Sequence, residues 1–162
     1  MHAVKKIFYA HSGSGNHGCE ALIRSTVKIL DTRFPILISG NEKQDRKYQI
    51  DRLTKIFSLD TSAFSLKQKI SLSYLLYAFR YHFITRNTNS FSVAASLILR
   101  KYEVAAALSI GGDNYCYNGM VSQLIEQNAF FNKHGVSTVL WGCSIEPEVL
   151  NHSDVLADLK TY

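Results

Sequence analysis

The sequence predicts an α/β domain: a Rossmann-like parallel sheet with helices on both faces. Three observations predict it. Short apolar runs alternate along the chain with longer segments of helical period. The runs are continuously apolar, as strands buried on both faces are. Three of them end in polar loops that contain glycine, at 13–18, 111–114 and 142–147.

The elements follow in order. Residues 4–10 form a short apolar run and read as the first strand. Residues 19–30 carry Leu22, Ile23, Thr26, Val27, Ile29 and Leu30 on one predicted helix face. Residues 35–39 are a second strand, stopped by Gly40 and Asn41. The polar stretch 42–53 reads as a helix and 55–59 as a third strand. A longer helix is predicted over 65–85, with Leu66, Ile70, Leu75, Leu76 and Phe79 inward. A loop at 86–90 separates it from a helix at 91–102. The run 104–110 is a buried strand, followed by a helix at 120–134 that Gly135 caps. A fifth strand is expected at 136–141. Asn151 or Ser153 then caps a last helix.

Size and composition fit one domain. The chain has 162 residues, 46% hydrophobic and 19% charged, which suffices for a real core. No internal repeat is evident. The apolar run 7–10 is too short for a signal-peptide core, and no stretch of about 18 apolar residues offers a spanning helix. Cys19, Cys116 and Cys143 are odd in number and widely spaced, as suits reduced thiols in a cytoplasmic protein.

The net charge of +5 is unevenly placed. Between Thr61 and Tyr102 there is no Asp or Glu, but there are Lys67, Lys69, Arg80, Arg86, Arg100 and Lys101. Such a surface attracts phosphates, acidic glycans, nucleic acid or anionic lipid. Within it, aromatic residues interleave with cations over 66–86, a composition suited to a helix lying on an anionic membrane and equally to a core helix with a basic outer face.

In parallel sheets, ligands bind at the carboxyl ends of the strands, so the three loops define the candidate site. Gly13, Gly15 and Gly18 match G-x-G-x-x-G between strand and helix. Glycines let a ligand approach the backbone, and the following helix N-terminus favours an anion. A dinucleotide site needs an acid at the end of the second strand, where Ser39, Gly40 and Asn41 stand and Glu42 comes slightly late. Asp113, after Gly111 and Gly112, is placed to orient sugar hydroxyls or to act as a base; capping a turn is its plainer role. Ser144 is a candidate donor, and Glu146 before Pro147 reads as a turn residue. His11, His17 and Cys19 match no common zinc spacing. Nothing near Cys143 in sequence would activate its thiol.

Taken in series, residues 15–22 (GNHGCEAL), 109–113 (SIGGD) and 140–147 (LWGCSIEP) resemble the polysaccharide pyruvyl transferase family. The resemblance implies one half of a GT-B-like fold, in which two Rossmann-like domains face a cleft. It implies transfer of an enolpyruvyl unit from phosphoenolpyruvate to two sugar hydroxyls, giving a pyruvate ketal. Phosphoenolpyruvate is then the donor substrate, and no metal or other cofactor is called for. The implied partner is a saccharide acceptor, lipid-linked or polymer-bound, rather than nucleic acid; the basic, aromatic composition of 66–86 separately allows peripheral contact with the inner membrane face, where lipid-linked acceptors reside. Asp113 would be the catalytic residue. Gly15, Asn16, Gly18, Glu20, Gly111, Gly112, Asn114 and Ser144 would line the acceptor side. The chain departs from the family at Cys19, Cys143 and Glu146, where aspartate, glutamine and glycine are common. Family members are also much longer, so 1–162 is expected to be the N-terminal half, without the C-terminal domain that holds the donor. A GT-B or Rossmann enzyme of other chemistry, using a nucleotide sugar or a dinucleotide, and a saccharide-binding remnant without turnover are the alternative readings.

Overall fold

The computed structural model describes residues 4–60, 62, 65–83, 90–116 and 118–162. Five strands, β1 (Lys5–His11), β2 (Ile36–Ser39), β3 (Lys55–Ser58), β4 (Val104–Ile110) and β5 (Thr138–Trp141), form one sheet in the order β3-β2-β1-β4-β5. Every pairing is parallel. The helices are α1 (His17–Ile29), α2 (Glu42–Lys47), α3 (Leu66–Lys69), α4 (Leu72–Phe83), α5 (Ser90–Lys101), α6 (Asn118–Lys133) and α7 (Ser153–Leu159). The topology is Rossmann-like, as the alternation of elements predicts.

Strand alternation fills both faces. Ile7, Tyr9, Ile36, Ile38 and Ala107 point to one side, where Phe91, Ala95 and Ile98 of α5 and Phe131 of α6 cover them. Phe8, Leu37, Leu108 and Ile110 point to the other, against Ile23 of α1 and Ile50. A satellite cluster of Tyr115, Val121, Leu124, Val149 and Val155 seats α7. There Asp158, buried, accepts from the Tyr115 hydroxyl at 2.8 Å and from Asn128 Nδ2 at 2.6 Å.

Three expectations change. The polar helix predicted over 42–53 ends at Lys47, because Gln49 takes a left-handed φ of 58° before a short 3-10 turn at Ile50–Arg52. On α1, Ile29 is exposed rather than inward: Ile23, Thr26 and their neighbours already fill the sheet contact. The segment 65–85 divides at Ile70–Ser71 into α3 and α4, and the five apolar residues expected inward do not face inward. Leu66, Ile70, Leu75, Leu76 and Phe79 are all more than half exposed. The physical reason is that α5 already covers the sheet. Helix α4 packs outside α5 as a further layer, touching Val93 and Ala94 through Tyr74. Residues 84–85 of the expected helix and 86–89 of the expected loop lie outside the described residues. Gly135 follows α6 with a φ of 70°, as a cap requires.

Candidate functional site at the carboxyl edge of the sheet

The chain leaves β1 toward β2 on one side and leaves β4 toward β5 on the other. The strand order therefore reverses between β1 and β4, which is where such sheets open a crevice. The loops after β1, β4 and β5 meet at this edge, as the sequence predicts for parallel strands.

The loop after β1 is tied to α2. Asp45 of α2 is fully buried. Its carboxylate accepts from Ser14 N at 2.9 Å, Ser14 Oγ at 2.6 Å and His11 Nε2 at 2.9 Å, and also from Ser39 Oγ. Burial pushes this carboxyl up, but the bonds from His11, Ser14 and Ser39 outweigh it and hold it below the ordinary range. Beside it, Gln44 Oε1 accepts from Gly15 N at 3.1 Å. A methyl group on Gly13 or Gly15 would come within 2.7 Å of that same oxygen, so both glycines admit α2. The α1 N-terminus is also partly satisfied from within. Asn16 caps it, its Oδ1 accepting from Gly18 N at 2.8 Å. Exposed at its surface, Gly15, Asn16 and Gly18 line the rim. Glu20 is engaged by Arg24 at 2.8 Å, and that bond holds its carboxyl below the ordinary range.

The loop after β4 is arranged differently. Asn114 turns back under it, buried, and donates from Nδ2 to the Ala10 carbonyl at 3.1 Å. A Cβ on Gly111 would lie 1.7 Å from that nitrogen, so glycine is required there for the staple. Gly112 has only Leu22 within reach, at 4.0 Å. Asp113 is exposed. Its charge helps push up the thiols of Cys19 on α1, Cys116 in its own loop and Cys143 after β5, although burial is the first cause in each. The raised thiols are poor nucleophiles at neutral pH, in line with the inert reading of Cys143.

The third loop is held to the second by Ser144 N, which donates to the Gly112 carbonyl at 2.6 Å, and by a parallel bridge between Tyr115 and Ile145. Ser144 and Glu146 are exposed. Gly142, with a φ of 63°, leaves room for Leu22, and Trp141 Nε1 donates to Thr26 Oγ1 of α1 at 2.9 Å. Between β1 and β4 a small cavity of about 10 Å³, lined by residues such as Ser12, Cys19, Leu22 and Gly111, has room for about one water.

The edge therefore gathers Gly15, Asn16, Gly18, Glu20, Gly111, Gly112, Asp113, Asn114 and Ser144. Of these, Asn114 is committed to the fold and Glu20 to Arg24. The His11–Asp45 pair is the feature that sequence reading misses. The two residues are 34 positions apart, and neither sits in a recognisable pattern. Among the described residues, no group of three or more His, Cys, Asp or Glu is placed to hold a metal. A second, open groove of about 420 Å³ lies at the ends of β2 and β3, lined by Gly40, Asn41, Glu42, Lys43, Arg46, Ser58 and Asp60. Comparison with protein-family models, with curated proteins and with solved structures gives no match to this chain.

Proposed function

We propose that this chain is a ligand-binding Rossmann-like domain of a transferase, which holds a hydroxylated, sugar-type acceptor where the three loops meet. The observation that carries the reading is the exposed Asp113 carboxylate at the carboxyl edge of the sheet, next to the unobstructed α-carbon of Gly112 and on the loop that Ser144 N holds to the loop after β5. A carboxylate so placed accepts hydrogen bonds from vicinal hydroxyls and can take a hydroxyl proton as attack begins. Gly112, its carbonyl taken by Ser144 N, leaves the space over its α-carbon open beside it, and the Ser144 side chain and the rim of the α1 N-terminus supply further polar contacts.

In its finer form, the reading follows the motif resemblance. The methylene carbon of phosphoenolpyruvate takes a proton, and the acceptor hydroxyl attacks the enol-phosphate carbon as it becomes oxocarbenium-like. Phosphate leaves, and a second hydroxyl closes the ketal; of the two hydroxyl protons, one balances the proton given to the methylene carbon and the other leaves with phosphate. Asp113 receives the proton of an attacking hydroxyl. The cations that hold the donor's carboxylate and phosphate come from a second domain of a GT-B-like pair. The test is isothermal titration of the chain with oligosaccharides bearing free vicinal hydroxyls. The reading expects binding that Asp113→Asn weakens at unchanged melting temperature. Equal affinity in the variant sinks the assignment.

A second reading, a Rossmann enzyme that takes a nucleotide sugar or a dinucleotide, is favoured by the open groove beyond β2 and β3. It combines Lys43 and Arg46 with Glu42 and Asp60 near the place where a nucleoside lies in such folds. Against the pyrophosphate part of that ligand, Ser14 N and Gly15 N already donate to Asp45 and Gln44. Thermal-shift measurement with UDP-sugars, NAD and phosphoenolpyruvate separates the two. Stabilisation by a nucleotide that Glu42→Ala abolishes supports the second reading.

A further inference from the structure

We infer that α3 and α4 form a docking surface for an anionic lipid bilayer. On α4, Leu72, Leu75 and Leu76 stand at i, i+3 and i+4, so they share one helix face. Each is more than half exposed, as are Leu66 and Ile70 on α3 and at its end. The opposite side of α4 is the one that packs, through Tyr74 onto Val93 and Ala94 of α5. The amphipathic helix is thus oriented with its apolar stripe outward, the reverse of what a core helix does. An exposed apolar patch of this kind marks an interaction surface.

Charge selects the occupant. The sequence from Thr61 to Tyr102 holds six cations and no acid, and of these Lys67 and Lys69 stand on α3 beside the exposed leucines. Lys67 stands exposed on α3 among the leucines. Lys69 follows it, half-buried, its Nζ donating to the Ser62 carbonyl at 3.3 Å. A protein interface of this cationic density would need an acidic counterpart, and a second copy of the same surface would repel it. An anionic bilayer satisfies both features at once, taking the leucines into the headgroup boundary and the lysines at the phosphates. No helix among the described residues is long and apolar enough to cross a membrane, so the contact is peripheral. The chain passes from β3 into this unit at the carboxyl edge of the sheet, the edge that carries the crevice. The inference rests on this surface alone and stands whatever the crevice binds.

The test is co-sedimentation of the full chain with vesicles of phosphatidylcholine, with and without about one third phosphatidylglycerol. Binding to the anionic vesicles, weakened by salt, is expected. Leu75→Glu combined with Leu76→Glu should reduce it at least about tenfold, because the lost side chains are the inserted ones. Lys67→Glu should reduce it about fivefold or more, and only on the anionic vesicles. The replaced side chains are exposed, so circular dichroism and melting temperature should be unchanged. Absence of binding to anionic vesicles at low salt overturns the inference. So does a chain that light scattering shows to be a dimer and that the double variant makes monomeric without altering vesicle binding.

Discussion

Two glycine loops stand side by side on the carboxyl edge, and they use their glycines for opposite ends. In the loop after β1, Gly13 and Gly15 make room for Gln44 and Asn41, and the amides of Ser14 and Gly15 donate to Asp45 and Gln44. In the loop after β4, one glycine serves packing and the next is open: Gly111 admits Asn114, and Gly112 meets only Leu22 at 4.0 Å. The first loop has the spacing of a phosphate cradle but gives two of its donors to its own chain. The second has no such signature and leaves an exposed carboxylate. Glycine spacing reports that the backbone is approached closely, not by what.

The hardest test of this contrast removes the acceptor that closes the first loop. Asp45→Ala leaves four donor groups without their buried partner and is expected to destabilise the domain by about 3–5 kcal/mol in urea unfolding. A loss below 1 kcal/mol would mean that the first loop is not built on Asp45. The same group sets a pH dependence. Its carboxyl lies below the ordinary range when folded, so the unfolded chain takes up its proton first. Its stabilisation is complete above about pH 4 and is lost as pH falls through the folded value. Asp45→Asn should flatten the acid limb of stability against pH, measured by urea midpoints from pH 6 to 3.

Intermediate effects belong to the glycines that admit side chains. Gly111→Ala places a methyl on Asn114 Nδ2 and breaks its bond to Ala10, at an expected loss of about 1–3 kcal/mol. Gly13→Ala adds a β-carbon 2.8 Å from Asn41 Cβ at a φ of 131° and belongs in the same range. Gly15→Ala meets only the end of the flexible Gln44 side chain, so about 0.5–1.5 kcal/mol is expected, and Gln44→Ala in the same chain should recover the part due to the clash. If Gly15→Ala costs as much as Gly111→Ala, the loop after β1 is the more rigid of the two.

Much of this was legible in the sequence, for identifiable reasons. The strands at 104–110 and 35–39 are continuous apolar runs bounded by glycine, and parallel order then follows from the helices between them. That order alone sends residues 13–18, 111–114 and 142–147 to one edge. Side-chain commitments were not legible. Asp45 lies in a polar segment whose pattern reads as a surface helix, yet it is fully buried, because its partners come from β1, β2 and the loop between β1 and α1. Asn114 reads as a ligand contact because it follows Asp113, and only the fold reveals the Ala10 carbonyl beneath it. The apolar period of 65–85 identifies a helix but not which way its stripe faces. That depends on α5 having already covered the sheet.

The smallest effects on stability are expected where the second loop is open, and there they carry the most information about function. Asp113→Asn and Gly112→Ala touch an exposed carboxylate and a glycine whose new methyl would meet Leu22 at an ordinary contact distance. Each should leave the unfolding free energy from urea titration within about 0.5 kcal/mol of the parent. For a loop that merely turned the chain, the two substitutions would be silent in every measurement. For a loop that holds a hydroxylated ligand, they act separately. Asn keeps the shape of Asp113 but loses the charge that accepts strongly from hydroxyls, so affinity should fall about tenfold. The Gly112 methyl fills the approach to the backbone and should exclude the ligand without altering the charge. A titration in which Gly112→Ala binds as the parent does, while Asp113→Asn does not, would move the ligand off the backbone and onto the carboxylate alone, leaving Ser144 and the α1 rim as its remaining walls.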